Sequence, residues 1–187
     1  MGLFAALASA FLISAAPAAA TDDPLLDHDG AGNLRDYIIA YLDTHRDASF
    51  DRDPTVTVAI ARTALGPNDP EGYVVYIKSR GWCGGGGCHM LIVSKVAGRF
   101  QPLGFIGAIE PTIALERPDG VGANAKLVTS TNHFSDGELS VTLTRRGDAY
   151  DSFPPYGKAQ PHGKLQPLIT GATPLLTLYG DPQPAAQ

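Results

Sequence analysis

The chain is poor in the residues that most often carry chemistry or staple a small fold. It has two cysteines, one tryptophan and five histidines in 187 residues. Two cysteines cannot build a disulfide framework or a four-thiolate metal site, so a core has to come from packing. His28, His45, His89, His133 and His162 are scattered without ligand spacing, and no HExxH, G-x-S-x-G or P-loop pattern occurs. Nothing calls for a metal or a cofactor. No carboxylate lies near the cysteine pair, which disfavours a paired-carboxylate hydrolase there. Positive charge is equally thin: no basic run exceeds Arg145-Arg146, and the formal net charge is −5. Nucleic-acid binding needs a clustered positive face, so nucleic acid is not an expected partner.

The first twenty residues are a different material. Met1 to Ala20 carry no charged side chain, include the apolar run Leu3 to Ile13, and end in the small-residue site Ala18-Ala19-Ala20. This pattern predicts a secretory signal peptide, residues 1–20, cleaved after Ala20. The apolar run is shorter than the ~20 residues that cross a bilayer, so no membrane span is expected after cleavage. Residues 21–187 suit one globular domain, periplasmic or secreted, a setting in which a disulfide is chemically admissible.

Within that domain, residues 21–32 read as a flexible leader. Asp27 and Asp29 could open a calcium loop, but Ala31 and Ile38 stand where an EF-hand needs oxygen ligands, so a turn is the better reading. A helix follows, with Asn33 as N-cap and Asp36 in its first turn. Leu34, Tyr37, Ile38, Tyr41 and Leu42 form one apolar stripe at helical spacing. From Thr55 the period becomes two: Val56, Val58 and Ile60 alternate with Thr55, Thr57 and Ala59, as in a half-buried strand. Tyr73 to Lys78 is apolar on both faces, as a central strand covered on both sides would be. Phe100 to Glu116 reads as one or two strands broken by Gly104, Gly107 and Pro111. Lys126 to Phe134 and Glu138 to Arg145 read as a hairpin in which Leu139, Val141 and Leu143 supply the buried face. Residues 149–187, rich in Pro and Gly, read as an irregular tail in which Leu175 to Tyr179 is the one candidate regular element. The expected fold class is α+β: an N-terminal helix packed on an antiparallel sheet of about five or six strands.

The most specific stretch is Gly72 to Val96, where two apolar runs flank Trp82-Cys83, the glycines Gly84, Gly85, Gly86 and Gly87, and Cys88-His89. It predicts a β-hairpin whose tip is closed by a Cys83–Cys88 disulfide. Four glycines favour a floppy loop, at on the order of 0.5–1 kcal/mol each. A disulfide closing so short a loop recovers roughly 2 kcal/mol in the chain-entropy account, a comparable amount. The glycines either permit the positive-φ turns of a tight hairpin or bare their amides to a partner as an anion-binding nest. Thioredoxin-type redox chemistry needs two residues between the cysteines, and here there are four.

The segment Gly81-Trp82-Cys83-Gly84-Gly85-Gly86-Gly87-Cys88 resembles the W-C-G-x-G-G-C hairpin of a group of uncharacterised exported bacterial proteins. A helix followed by strands with a C-x4-C loop is more loosely similar to the periplasmic inhibitors of vertebrate-type lysozyme. In those inhibitors a disulfide-closed loop carrying a histidine enters the enzyme's cleft. In this chain the loop interior is all glycine, and the nearest histidine, His89, stands just outside Cys88.

These readings converge on an exported, non-enzymatic binding protein of the cell envelope. Arg80, Trp82, Gly84 to Gly87 and His89 would contact a protein or cell-wall partner, in an inhibitor-like manner if the second resemblance holds. The alternative is an enzyme of unrecognised type acting on an envelope substrate. Intact-mass analysis of native material should give a chain beginning at Thr21, with no titratable thiol until it is reduced. A chain retaining residues 1–20, or two free thiols in native protein, would contradict this.

Overall fold

A computed structural model describes residues 33–45, 55–117, 122–133, 137–151 and 164–179. The expected signal peptide and the leader at 21–32 lie outside the described residues, as do 134–136, 152–163 and 180–187. Among the described residues there is one short helix, α1 (Leu34–His45), and the rest is mostly antiparallel strand. The Asn33 side chain accepts a 2.8 Å hydrogen bond from the Asp36 amide, the expected N-cap. Leu34, Ile38 and Leu42 bury one stripe of the helix, while Tyr37 and Tyr41 are half-buried along its flank.

The strands are β1 (Thr57–Thr63), β2 (Gly72–Lys78), β3 (Cys88–Val96), β4 (Arg99–Ile109), β5 (Ile113–Glu116), β6 (Lys126–His133), β7 (Gly137–Leu143), β8 (Arg145–Arg146), β9 (Ala149–Tyr150), β10 (Leu165–Ile169) and β11 (Leu176–Thr177). A five-stranded sheet has the order β11-β1-β2-β3-β4, a four-stranded sheet the order β10-β5-β6-β7, and β8-β9 is a separate ribbon. The expected helix and helix-facing sheet are present. The second sheet was not anticipated, and its presence makes the domain a three-layer stack.

The layers follow from side-chain alternation. From the five-stranded sheet, Val58, Tyr73, Val75, Ile77, Leu91 and Val93 pack with Leu34, Ile38 and Leu42 of α1. The opposite row, Ala59, Val74, Tyr76, Met90 and Ile92, packs with Ile113, Leu115, Leu127, Val141, Leu143 and Ile169 of the second sheet. Strand β1 therefore departs from the expected half-buried pattern: Val58 and Ala59 are both buried, because each face has its own cover. In β7 the reading holds for Val141 and Leu143, which are buried, with Ser140 exposed, while Leu139 is only half-buried.

Two further expectations are corrected. Gly104 and Gly107 do not break Phe100–Glu116. Strand β4 runs through both, and the β3–β4 register shifts between Ile92 and Val93 and between Cys88 and Met90. Such bulges absorb extra residues without ending a strand. The break comes at Glu110–Thr112, where the chain leaves one sheet for the other and the Glu110 amide donates to the Ser130 carbonyl at 2.8 Å. Nor is 149–187 irregular throughout. Strand β10, not expected, pairs with β5, and the candidate element at 175–179 is β11, which pairs with β1. The Arg35 guanidinium donates to the Leu178 carbonyl at 2.9 Å, so the helix also holds the end of the described chain.

Polar groups fasten the end of the sheets remote from the cysteines. Buried Asp69 accepts a hydrogen bond from Ser94 Oγ at 2.5 Å and pairs with Arg145, joining the β1–β2 connection to β3 and β8. Glu71 accepts from Tyr73 at 2.7 Å and pairs with Arg62 at 2.9 Å and Lys95 at 3.7 Å. The β3–β4 turn is tight: Val96 pairs with Arg99, leaving Ala97 and Gly98 as the central residues at φ 50° and 76°. Two positive φ values suit Asn-Gly far better than Ala-Gly. Ala97→Asn is expected to stabilise the domain by up to about 1 kcal/mol, a rise in Tm of about 2–4 °C at this size. A lowered Tm would show that the turn does not adopt this conformation.

Candidate functional site

The tip is built from the two most deeply buried strands. Strand β2 is buried from Gly72 to Ile77, and Lys78 emerges at its end. The Trp82 amide donates to the Ser79 carbonyl at 3.3 Å, turning the chain before Cys83. Cys83 and Cys88 form the expected disulfide, with Cα atoms 3.9 Å apart. Inside the ring, Gly84 and Gly87 pair face to face: the Gly84 amide donates to the Gly87 carbonyl at 2.8 Å, and the Gly87 amide donates back at 3.1 Å. Gly85 and Gly86 make the turn between them.

This pairing changes the chemistry available at the tip. The amides of Gly84 and Gly87 are spent on each other, so the four glycines do not present a run of free donors, and the anion-nest reading is withdrawn. The Gly86 carbonyl accepts from Thr131 Oγ1 of β6 at 3.1 Å. Gly87 takes φ +122°, and a Cβ built there would lie 2.5 Å from the Ile109 carbonyl oxygen of β4. The tip is therefore docked against both sheets. Gly84 and Gly85 are exposed, and around a Cβ built on Gly84 there is nothing within 4 Å.

On the helix side, Trp82 and His89 join an aromatic cluster. The Trp82 ring meets Phe105 edge-on at 5.5 Å and His89 edge-on at 5.4 Å, and His89 stacks on Phe105 at 4.9 Å. Tyr41 of the helix meets Phe105 at 5.5 Å and stacks with His45 at 3.9 Å. His89 Nδ1 lies 2.5 Å from the Trp82 carbonyl; that oxygen can only accept, so Nδ1 carries a proton and donates it. Nε2 faces Gly107, where a built Cβ would sit 3.0 Å away, so that glycine makes room for the ring. Trp82 is half-buried in this packing, with only part of its surface on offer, and Arg80 is exposed. Tyr37 at the far end of the cluster has its phenol pushed up to about 12, by burial first and by neighbouring Tyr41 second.

All seven expected contact residues thus lie together at one end of the hairpin, yet with different exposure. Gly84, Gly85 and Arg80 face solvent. Gly86, Gly87, Trp82 and His89 spend much of their surface holding the tip in place. Sequence reasoning missed Phe105, Ile109 and Thr131, which lie on strands read only as sheet. No local signal marks a residue whose partner is a loop 16 to 45 positions away. Among the described residues no cluster of three or more metal-ligating side chains occurs, and no helix is long and apolar enough to cross a membrane.

Two glycine substitutions should separate the docked side of the tip from its open side. Gly87→Ala meets the Ile109 backbone at an unfavourable φ and is expected to cost about 1–3 kcal/mol or more. Gly84→Ala enters open space and should stay within about 0.5 kcal/mol of the parent. Equal denaturation midpoints for the two variants would contradict the docked geometry.

No protein family, curated protein or solved structure matches this chain.

Proposed function

We propose that the protein is exported to the cell envelope and works there as a binding protein, contacting a protein or cell-wall partner through the tip from Arg80 to His89. The observation that supports this is the combination of bare backbone with fixation. Gly84 and Gly85 stand exposed, while the disulfide, the Gly84–Gly87 pair, Thr131 and Phe105 tie down what surrounds them. Fixing a free backbone costs about 1–2 kcal/mol per residue, so a loop ordered in advance keeps that cost out of the binding step. Arg80 supplies charge at the rim, and the uncovered part of Trp82 supplies a rigid aromatic surface of the kind enriched in binding hot spots.

The test is capture from an envelope extract and on purified cell wall. It compares the parent protein with Trp82→Ala, Gly84→Gln and the Cys83→Ser/Cys88→Ser pair, each first shown to be folded by a melt. The cysteine pair should cost no more than roughly 2–3 kcal/mol, within the ordinary margin of about 5–15 kcal/mol. A partner held by the parent and lost by all three variants is the expected result. Gly84→Gln matters most, because it adds bulk on the open side and disturbs no packing. Undiminished capture by folded Gly84→Gln and Trp82→Ala proteins would overturn the tip as the contact. Turnover of an envelope substrate that all three variants retain would favour an enzyme with its site elsewhere.

A further inference from the structure

A second feature lies at the same end of β2 and shares no residue with the tip. Between the two sheets, where the chain crosses from β10 to β11, a cleft of about 100 Å³ opens to solvent. Its walls are Ala59, Pro111, Ile169 and Leu175, and its polar groups come from Tyr76, Lys78, Thr170 and Thr173. Strand alternation explains its mouth. Val74, Tyr76 and Lys78 share the row that faces the second sheet; Val74 and Tyr76 are buried in the core, and Lys78 arrives where the sheets part. A lysine ends a core row at the rim of an apolar slot. Leu175, on the same rim, is one of the few large apolar side chains that remain exposed, at 45%.

The chemistry of the lining is directional. The Thr173 hydroxyl accepts from the Thr170 amide at 2.9 Å, and the Thr170 hydroxyl accepts from the Ala172 amide at 3.2 Å. Both oxygens are thereby fixed, with their protons free to donate. The Tyr76 phenol is pushed up to about 12, by burial first and then by the negative charge of Glu110, so it too is a donor at any physiological pH. Lys78 adds a full positive charge, and among the described residues its ammonium makes no ion pair. Glu110 does not line the cleft; it precedes the wall residue Pro111 and lies near enough for its charge to act on Tyr76.

We infer that this cleft binds a small apolar α-amino acid as its zwitterion, with the ligand carboxylate on Lys78, Tyr76 and the threonine hydroxyls and the short side chain between Ile169 and Leu175. Three hydroxyl donors and an ammonium lining one cleft are the groups a carboxylate needs, and charge assistance makes such hydrogen bonds the strong ones. Glu110 disfavours a bare anion and favours a ligand that also carries an ammonium. The volume is well below the ~300–1,000 Å³ of drug-sized sites, so the occupant is a single small residue. This inference goes beyond the tip contact and does not depend on it.

The experiment is a titration of the full mature chain, followed by backbone amide shifts in NMR, with alanine, valine, propionate and propylamine as separate probes. Alanine or valine should shift Lys78, Thr170, Gly171 and Thr173 in a saturable way. Propionate and propylamine should each bind at least tenfold more weakly. Lys78→Gln and Glu110→Gln lie at the exposed end of a strand and at a half-buried sheet crossing, and each should weaken amino-acid binding about tenfold while leaving the amide spectrum elsewhere unchanged. Propionate binding as tightly as alanine would overturn the amino-acid assignment. No saturable shift at the cleft with any probe would overturn the site. The tip variant Gly84→Gln should bind alanine like the parent, so a failure here is distinguishable from a failure of the tip proposal.

Discussion

Strands β2 and β3 are buried on both faces, and the rest of the molecule is arranged to satisfy that condition. From Gly72 to Ile77 and from Met90 to Lys95 every residue is buried, so the hairpin has no side that can face water. At roughly 25 cal/mol per Å² of apolar surface, leaving either face open would cost more than the whole margin of an ordinary domain. Two covers are therefore required. The helix supplies one with three buried residues, Leu34, Ile38 and Leu42. The second sheet supplies the other with the inward rows of β5, β6, β7 and β10.

The two covers are tied to the centre by different means. The sheet-to-sheet layer is continuous with the centre through the chain itself, since β4 passes directly into β5 and the Glu110 amide bonds across to β6. Its far end is locked by the Asp69–Arg145 pair, whose carboxylate also receives Ser94. A pair buried this deeply is weak evidence of net stabilisation, but removing either partner leaves a charge without compensation. It therefore fixes which surfaces meet. The helix is joined less tightly. Beyond its apolar stripe it is held by Arg35 on the Leu178 carbonyl and by aromatic contacts of Tyr37 and Tyr41 with Phe100 and Phe105.

The tip inherits its rigidity from this plan. Because β3 and β4 pair as far as Cys88 and Ile109, and β6 lies below them, the closed loop lands on Ile109 and Thr131 and does not project freely. The cleft inherits its position in the same way. The second sheet and the β10–β11 crossover cover Tyr76 but leave Lys78 at the mouth. Tip and cleft both sit at the end of β2 where its buried run stops.

The sequence by itself determined what depends on near neighbours in the chain. The Asn33 cap and the helical stripe, the two-faced burial of β2, the alternation of β7 and the disulfide between cysteines five positions apart were all readable, because each is set within a few residues by backbone geometry and side-chain period. Only the tertiary structure decided the rest. A period-two pattern says that a strand has a buried face, but not whether its other face meets water or a second sheet, so β1 was read as half-buried. A short strand among prolines and glycines, such as β10, carries too little pattern to be seen, and the apolar run around β11 marks an element without naming its partner; both exist because β5 and β1 offer them open edges. The glycines of the tip allowed two readings; the Gly84–Gly87 pairing decided against the nest, and the docking of the loop depends on Ile109 and Thr131, residues that no local rule connects to a loop more than twenty positions earlier.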